Sequence, residues 1–245
     1  MVIGATSGIG REIALGLAEH GADVAPTGRR LAAVEEVCCG VQRRGRQTLC
    51  RTADVRDRQS IDALRDAVIE RFGAVDILVN AAGYTFMEPT ASMGEESWAS
   101  LIDTNLNGAL RACQSFYEPL KARRRGRIVN IASLGSYLAF YRVAAYCAAK
   151  SALLSLTRSL AIEWAQDGIS VNAIAPGVFP TELNSELVNE TQRGQELLVR
   201  TPMGRFGRPE ELVGAAVLLC SDGATFLTGQ CIAVDGGFLA SGVNS

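Results

Sequence analysis

Short apolar runs alternate with longer amphipathic stretches along almost the whole chain. A short apolar run between polar residues is typical of a buried strand, and apolar residues at a helical period are typical of a helix that covers a sheet. The pattern predicts strands at 1–3, 23–27, 48–53, 76–80, 127–132, 170–175 and 231–234, and helices at 10–19, 31–44, 60–71, 98–121, 144–165 and 209–220. Strands separated by helices form a parallel sheet, so we predict a single α/β domain over residues 1–245, a doubly wound parallel sheet with helices on both faces.

Composition and charge limit the classes of protein to which the chain can belong. With 48% hydrophobic residues, the 245-residue chain can bury a core on both faces of one sheet. A net charge of −2 gives no general attraction to nucleic acid or to anionic lipid. No apolar run approaches the roughly 20 residues that span a bilayer. We therefore expect neither a nucleic-acid partner nor a membrane partner.

The cysteines and the only histidine show no pattern that is typical of a metal site or a catalytic triad. The seven cysteines lack zinc-type spacing, and adjacent Cys38 and Cys39 suit a disulfide framework poorly. We therefore expect no metal site, reduced thiols and a cytoplasmic protein. His20 ends the first predicted helix beside Gly21, a position that is typical of a surface residue and not of a hydrolytic triad.

A glycine-rich loop lies between the first predicted strand and the first predicted helix. Glycines let the backbone turn tightly and approach a pyrophosphate, and a helix N-terminus offers free N–H groups and a positive dipole end. The strand–loop–helix context favours a dinucleotide-binding loop over a loop with no ligand. The loop reads Gly4-Ala5-Thr6-Ser7-Gly8-Ile9-Gly10.

Tyr146 and Lys150 are four residues apart in a predicted helix, with Ser133 thirteen residues before the tyrosine. The spacing places the phenol and the ammonium on one helix face, one turn apart. An ammonium beside a phenol favours the phenolate and would lower its pKa from about 10. Ser133 could hydrogen-bond the same substrate oxygen. This set of groups is suited to proton transfer that accompanies hydride transfer.

Further motifs follow in a fixed order. They are Asp54-Val55 after the third predicted strand, Asn80-Ala81-Ala82-Gly83 after the fourth, Asn105, Pro176-Gly177 with Thr181, and Asp235-Gly236-Gly237. With the glycine loop, Ser133, Tyr146 and Lys150, they make almost the whole chain resemble the short-chain dehydrogenases/reductases. The resemblance implies a Rossmann fold, a nicotinamide cofactor and the reversible reduction of a carbonyl to a secondary alcohol.

The resemblance also implies a role for each catalytic residue. Tyr146 would be the general acid in reduction and the base in oxidation. Lys150 would lower the tyrosine pKa and bind the nicotinamide ribose, and Ser133 would polarise the substrate carbonyl. Asn105 would hold a water that relays protons from Lys150 to solvent.

The implied cofactor site is larger. Asp54 and Val55 would contact the adenine, Asn80 and Gly83 would line the cofactor channel, and Thr181 would meet the carboxamide or pyrophosphate. The full set is Gly4, Thr6, Ser7, Gly8, Ile9, Gly10, Arg29, Arg30, Asp54, Val55, Asn80, Ala81, Gly83, Tyr146, Lys150, Pro176, Gly177, Val178 and Thr181.

Three of the catalytic and cofactor-binding residues have an alternative interpretation from their position alone. Asn80 and Asn105 could serve to satisfy backbone groups between strands. Asp54 could cap the helix that follows it.

The end of the second predicted strand bears on the choice between NADP(H) and NAD(H). An NAD enzyme usually places an acidic residue there to accept the ribose hydroxyls, whereas an arginine accommodates a 2′-phosphate. Here the strand ends in Thr27-Gly28-Arg29-Arg30, with no carboxylate and with guanidinium groups suited to phosphate. Arg29 and Arg30 could also be a solvated helix start, and Ser7 stands where many NADP-dependent relatives carry a basic residue. We expect NADP(H), with NAD(H) as the alternative.

The resemblance implies a small carbonyl or alcohol compound as the substrate. The resemblance implies a lid at about 177–207, and a substrate site formed by Ser133, Leu134, Ser136, Tyr141, Tyr146, Phe179 and Asn184. The C-terminal part is similar to sugar-acid ketoreductases such as gluconate 5-dehydrogenase, and also to 3-oxoacyl-(acyl-carrier-protein) reductases. These are the two alternatives for the substrate.

Docking of an acidic carrier protein would need basic residues near the mouth of the site. The run 123–125 is all arginine and could supply one patch. Asp167 stands before Gly168-Ile169, where carrier-dependent relatives have an arginine, and would repel a carrier. We therefore favour a keto-sugar acid or a similar polyol.

Two further expectations concern association and catalytic competence. Apolar surface on the predicted helices 98–121 and 144–165, with Phe238-Leu239-Ala240, favours a homotetramer or a homodimer. A scaffold protein that keeps the fold without catalysis is disfavoured, because Ser133, Tyr146 and Lys150 are all present. Only three residues precede Gly4, so we expect that residues are missing before the first strand.

Overall fold

A computed structural model describes residues 1–181, 188 and 191–242 of the chain. Six parallel strands form one sheet in the order β2-β1-β3-β4-β5-β6. This confirms the prediction of an α/β fold with a parallel sheet. The strands are β1 (Val2–Ile3), β2 (Pro26–Thr27), β3 (Ile77–Asn80), β4 (Gly126–Ile131), β5 (Ile169–Pro176) and β6 (Cys231–Val234).

Helices cover both faces of the sheet. They are α1 (Gly8–Glu19), α2 (Leu31–Arg43), α3 (Arg58–Phe72), α4 (Glu95–Ile102), α5 (Gly108–Arg123), α6 (Ala144–Glu163), α7 (Gln192–Val199) and α8 (Val213–Cys220). One core, which includes Leu64, Phe116 and Leu160, lies under α3, α5 and α6. The other, which includes Ile13, Val37 and Leu219, lies under α1, α2 and α8. No described helix is long and apolar enough to cross a membrane.

The segment 48–53 was predicted as a strand and forms only one bridge, between Val24 and Thr48. The Val24 N–H donates to the Gln47 carbonyl at 3.0 Å. The next donor of this strand on the same side would be residue 26, which is Pro26 and has no N–H. The ladder therefore stops after one step, and the prediction of a strand at 48–53 was wrong.

The predicted helix 98–121 is interrupted. The described chain leaves α4 through one π-helical turn, Asp103–Asn107, before α5 begins at Gly108. A Cβ on Gly108 would lie 2.8 Å from Val55, so only glycine lets α5 start this close to the 53–57 segment. Single π turns often occur at functional sites, and here the turn carries the fully buried Asn105.

Buried polar side chains link the two central strands to α6. Asn80 Nδ2 donates to Asn130 Oδ1 at 2.9 Å, and Asn130 Nδ2 donates to Thr157 Oγ1 at 2.9 Å. All three residues are buried, so their hydrogen bonds are protected from water. The link fixes the carboxyl ends of β3 and β4 relative to α6, the helix that carries Tyr146 and Lys150.

The order of the strands creates a crevice. Connections from β1 run to β2 on one side of the sheet, whereas those from β3 run onward to β4, β5 and β6. Loops at the carboxyl ends of β1 and β3 therefore diverge, and ligands of doubly wound sheets bind at such a point.

Candidate active site

One cleft of about 490 Å³ lies along the carboxyl ends of the strands. Its lining includes the glycine loop after β1, the segments after β2 and β3, the end of β4 with one face of α6, and the segment after β5. Residues 53–56, the π turn and part of α7 also contribute. Most predicted site residues line this cleft: Gly4, Thr6, Ser7, Gly8, Ile9, Gly10, Arg29, Arg30, Asp54, Val55, Ala81, Gly83, Asn105, Ser133, Leu134, Tyr146, Lys150, Pro176, Gly177, Val178, Phe179 and Thr181.

Three predicted site residues that the structure describes do not line the cleft. Asn80 is 5% exposed and bonds Asn130, which agrees with its alternative structural role. Ser136 donates its hydroxyl to the Lys150 carbonyl at 2.8 Å. Tyr141 is 80% exposed, so its ring faces solvent. Asn184 lies outside the residues that the structure describes.

The glycine loop is crowded against the end of β3. A Cβ on Gly4 would lie 2.4 Å from the Ala82 nitrogen, and a Cβ on Gly10 would lie 2.2 Å from the Gly4 carbonyl oxygen. Gly4 has a φ of 82° and Gly8 a φ of 51°, a left-handed region that glycine tolerates. Side chains at these positions would displace the loop from the strand. Glycine is therefore required here by the packing of the backbone.

The N-terminus of α1 faces this loop. Ser7 is the N-cap residue, but its side chain accepts no hydrogen bond from the helix, and no acidic residue lies in the first turn. The first N–H groups of α1 thus have no capping side chain, and Ser7, Gly8 and Ile9 all line the cleft. These N–H groups with the positive end of the helix dipole form a cradle suited to a phosphate group.

Basic groups lie at the end of the cleft beside β2. Arg29 and Arg30 are both exposed and line the cleft, and no carboxylate follows β2. A Cβ on Gly28 would lie 2.6 Å from the Thr6 side chain, so glycine keeps this segment close to the glycine loop. The arrangement suits a phosphate on the ribose next to an adenine.

Asp54 lines the cleft as half of an ion pair. Its carboxylate accepts hydrogen bonds from the Arg56 backbone N–H at 3.0 Å and from Arg56 Nη2 at 2.9 Å. These bonds from Arg56 lower the pKa of Asp54. The cap of α3 is Asp57, whose carboxylate accepts from Gln59 N at 2.9 Å, so the alternative capping role of Asp54 was wrong.

Tyr146 lies half-buried beside Ser133, which hydrogen-bonds its phenol. Burial raises the pKa of Tyr146, and the hydrogen bond with Ser133 offsets part of that rise. The spacing to Lys150 predicts a lowered pKa for Tyr146, but the net effect of the surrounding groups is to raise it. The structure instead keeps the phenol protonated at neutral pH.

Lys150 lies one helical turn after Tyr146 on α6. Its Nζ lies 5.7 Å from the Tyr146 ring centroid and donates to the Ile131 carbonyl oxygen at 2.8 Å. The side chain is 5% exposed, and burial lowers the pKa of Lys150 to about 8. The ammonium is oriented by a backbone carbonyl of β4, and its pKa lies closer to neutral pH than that of an exposed lysine.

Asn105 presents an unpaired acceptor next to Lys150. Its Nδ2 donates to the Tyr84 carbonyl at 3.0 Å and to the Leu101 carbonyl at 3.1 Å. Its buried Oδ1 has no hydrogen-bond partner among the described residues. A Cβ on Gly83 would lie 2.5 Å from this oxygen and 3.5 Å from Lys150 Nζ, so the oxygen and the ammonium flank the same glycine.

Sequence reasoning missed several cleft residues. They follow no motif, because they come from segments that only folding brings together. They are Tyr84 and Thr85 after β3, Phe140 and Val143 before α6, and Val188, Arg193 and Leu197 at the far side. The predicted lid region contains the last three, but its sequence does not indicate which face of α7 turns inward.

The residues weighed for carrier docking lie at the other edge of the sheet. Arg123 and Arg125 pair with Asp76, at 2.7 and 3.2 Å, just before β3 and β4 begin. Asp167 precedes β5, and its carboxylate bonds the Tyr117 hydroxyl at 2.6 Å and Lys121 at 3.2 Å. Within one chain, both sites lie at the amino ends of the strands, opposite the cleft. Within a single chain, these charges are therefore too far from the mouth of the cleft to attract or repel a carrier protein there.

The chain is similar to several dehydrogenases and reductases over nearly its full length. Residues 4–239 match the family described as Enoyl-(Acyl carrier protein) reductase. The chain is 39% identical over 244 residues to gluconate 5-dehydrogenase of Gluconobacter oxydans, covering 98% of this chain and 94% of that protein. It is 36% identical over 242 residues to 3-oxoacyl-[acyl-carrier-protein] reductase FabG of Staphylococcus aureus, covering 97% and 96%.

The fold is also similar to that of solved structures. A gluconate 5-dehydrogenase from Burkholderia cenocepacia, in complex with NADP and tartrate, matches with a TM-score of 0.94 and 36% identity. The match covers 98% of this chain and 94% of that one. With the ordered motifs, the parallel sheet and the placement of Ser133, Tyr146 and Lys150 in the cleft, these similarities show that the chain belongs to the short-chain dehydrogenase/reductase family.

Proposed function

We propose that the protein is an NADP(H)-dependent oxidoreductase that reversibly reduces the ketone of a keto-sugar acid to a secondary alcohol. The observation that carries this proposal is a single cleft with a phosphate-binding loop at one end and Tyr146, Ser133 and Lys150 further along it. The gluconate 5-dehydrogenase that is 39% identical to the chain supports the sugar-acid substrate. Reduction of a 3-oxoacyl carrier thioester is the alternative, supported by the 36% identity to FabG.

NADP(H) supplies the hydride, and the residues of the cleft fit this cofactor. The glycine loop and the uncapped N-terminus of α1 would hold the pyrophosphate. Arg29 and Arg30 would bind the 2′-phosphate, and NAD(H) is the alternative cofactor. Other cleft residues would complete the site: Asp54 and Val55 at the adenine, Ala81, Gly83, Pro176, Gly177 and Val178 along the channel, and Thr181 at the carboxamide or pyrophosphate.

Tyr146 transfers the proton in this proposal. The phenol, whose pKa is raised by burial, would donate a proton to the substrate oxygen as the carbonyl is reduced. In the reverse direction the phenolate would accept the proton of the alcohol, which requires a higher pH. Ser133 would donate a hydrogen bond to the same substrate oxygen and stabilise the negative charge that develops there.

Lys150 and Asn105 would return a proton to the tyrosine. A lysine with a pKa of about 8 can release and regain a proton near neutral pH. The unpaired Asn105 Oδ1, next to Lys150, could accept a hydrogen bond from a water that connects the lysine to solvent. Lys150 would also bind the ribose hydroxyls of the cofactor.

We further propose that the protein is a cytoplasmic homotetramer, with a homodimer as the alternative. All seven cysteines are free, which is typical of a reducing compartment. Ile162 on α6, Leu218 on α8 and Phe226 are apolar side chains that are 81%, 43% and fully exposed, and association would cover them. Phe238 was expected at a subunit contact, but it is 1% exposed and packs within the chain against Phe140 and Arg200.

Initial rates would test the substrate and the cofactor together. We expect faster oxidation of NADPH than of NADH with 5-ketogluconate, and little turnover of an acetoacetyl thioester with either cofactor. A preference for the thioester would show that the enzyme is a fatty-acid-type reductase. Equal or better efficiency with NADH would reject the role of Arg29 and Arg30.

Replacing Tyr146 by Phe removes the proton donor and leaves the ring. We expect kcat to fall by about 10²- to 10⁴-fold, because general acid catalysis contributes an effect of this size. The affinity for NADPH, measured by fluorescence titration, should be unchanged. Tyr141→Phe is the matched control, since that ring is exposed, and should leave kcat unchanged. Full activity in Tyr146→Phe would contradict the mechanism.

The buried Lys150 makes a prediction about stability and pH. The folded state releases the lysine proton at pH about 8, whereas the unfolded chain keeps it until pH about 10.5. Between these values the unfolded state binds more protons, so the stability of the wild type rises with pH. Relative to Lys150→Met, we expect the wild-type free energy of unfolding to rise by about 2–3 kcal/mol from pH 7 to pH 10.

Urea unfolding of both proteins at the two pH values measures this change. Lys121→Met is the control, because Tyr117 and Asp167 raise the pKa of the exposed Lys121. Its difference from the wild type should stay constant over the same pH range. A constant difference for Lys150→Met would contradict a lowered pKa for Lys150.

Light scattering at micromolar concentration measures the association. We expect the mass of a tetramer, or of a dimer under the alternative. A monomer mass at this concentration would contradict both.

A further inference from the structure

We propose that Arg193 forms the anion subsite of the cleft and binds the carboxylate of the substrate. This inference rests on the proposed function, because it assumes that the substrate is a keto-sugar acid. It assigns the choice of an acid over a neutral sugar to one side chain. The sequence motifs do not include this residue.

Arg193 contacts two of the segments that line the cleft. It lies in the first turn of α7, is half-buried and lines the cleft. Its Nη1 lies 3.2 Å from the Tyr141 carbonyl oxygen, in the segment that leads into α6, and 3.6 Å from Met87 Sδ, in the segment after Gly83. The guanidinium is therefore held between the segment after β3 and the segment that leads into α6.

No hydrogen bond or ion pair joins Arg193 to a carboxylate of the part of the chain that the structure describes. Among the described residues that line the cleft, Asp54 is the only acidic one, and it pairs with Arg56. Val188 and Leu197, which line the cleft near Arg193 in sequence, are apolar. A guanidinium offers several N–H donors in a planar fork, and a carbonyl and a thioether use few of them. A bound carboxylate would use the remaining donors, with little competition from water.

The position of Arg193 separates it from the phosphate-binding end of the cleft. Arg29 follows β2 at the outer edge of the sheet, whereas Arg193 contacts the segment between β4 and α6. The cleft therefore has arginines at two places, beside β2 and at Arg193. An anionic group on the substrate would account for the arginine at the second place.

Thr85 adds a polar group that suits a sugar. It lines the same cleft, two residues from Met87, and its buried Oγ1 has no hydrogen-bond partner among the described residues. A buried hydroxyl without a partner is costly, and a substrate hydroxyl would satisfy it. A polyhydroxy acid supplies both a hydroxyl for Thr85 and a carboxylate for Arg193.

The test compares two ketones that differ at one carbon atom, which is charged in one and neutral in the other. 5-Ketogluconate carries a carboxylate where L-sorbose carries a hydroxymethyl group, and both present the same ketone. We expect the wild type to prefer the acid, and Arg193→Gln to raise KM for the acid by about 10- to 100-fold with kcat little changed. The KM and kcat for L-sorbose should stay the same, and Arg193→Lys should restore part of the affinity for the acid.

Arg200→Gln is the matched control. It removes one positive charge at the end of the same helix, from a side chain that packs on Phe238 and does not line the cleft. It should leave the preference for the acid unchanged. Equal losses on both ketones in Arg193→Gln would mean that the residue only supports the fold, and would overturn the proposal.

The remaining outcomes separate this proposal from the proposed function. If the wild type reduces 5-ketogluconate and Arg193→Gln keeps the preference for the acid, the anion subsite is overturned and the function stands. If the wild type reduces only acetoacetyl-CoA, the sugar-acid function and the carboxylate subsite are both overturned. A loss of acetoacetyl-CoA turnover in Arg193→Gln would then assign the guanidinium to a phosphate of that thioester.

Discussion

The close approach of backbone to backbone at the carboxyl end of β1 is the constraint on which the cleft depends. Gly4 lies against the backbone of 81–82, and Gly10 lies against the Gly4 carbonyl. Because no side chain fits between these segments, the loop stays low over the sheet and α1 begins at its edge. The phosphate cradle is the space left by this packing. Larger residues at these positions would raise the loop and close the cleft.

The proton-transfer groups depend on a second constraint, the burial of charge. Lys150 is desolvated and oriented by the Ile131 carbonyl, and Tyr146 is partly desolvated beside Ser133. Burial moves the two pKa values apart, the lysine downward and the tyrosine upward from their ordinary values. The π turn adds Asn105 with an unpaired oxygen beside the lysine. Burial of the Lys150 charge and of the unpaired Asn105 oxygen costs stability, but it also places groups that can transfer a proton next to each other.

Charge along the cleft is divided by position. Arginines follow β2 at one end, and the ion pair of Asp54 and Arg56 lies near them. Arg193 lies further along the cleft, between the Tyr141 carbonyl and Met87. Such a division lets one cleft hold two anionic groups at a fixed separation. The basic run 123–125 and Asp167 take no part, since they neutralise partners at the opposite edge of the sheet.

The sequence by itself determined the order of strands and helices, the glycine loop and the residues Ser133, Tyr146 and Lys150. These features are local: apolar period, glycine spacing and a four-residue helical step are all written along the chain. It could not determine that Pro26 ends the ladder to 48–53, or that burial raises the pKa of Tyr146. Nor could it show that Asn80 bonds Asn130, or that Arg193 turns into the cleft. Those outcomes depend on neighbours far away in sequence, and only tertiary packing decides which groups lose water and which find a partner.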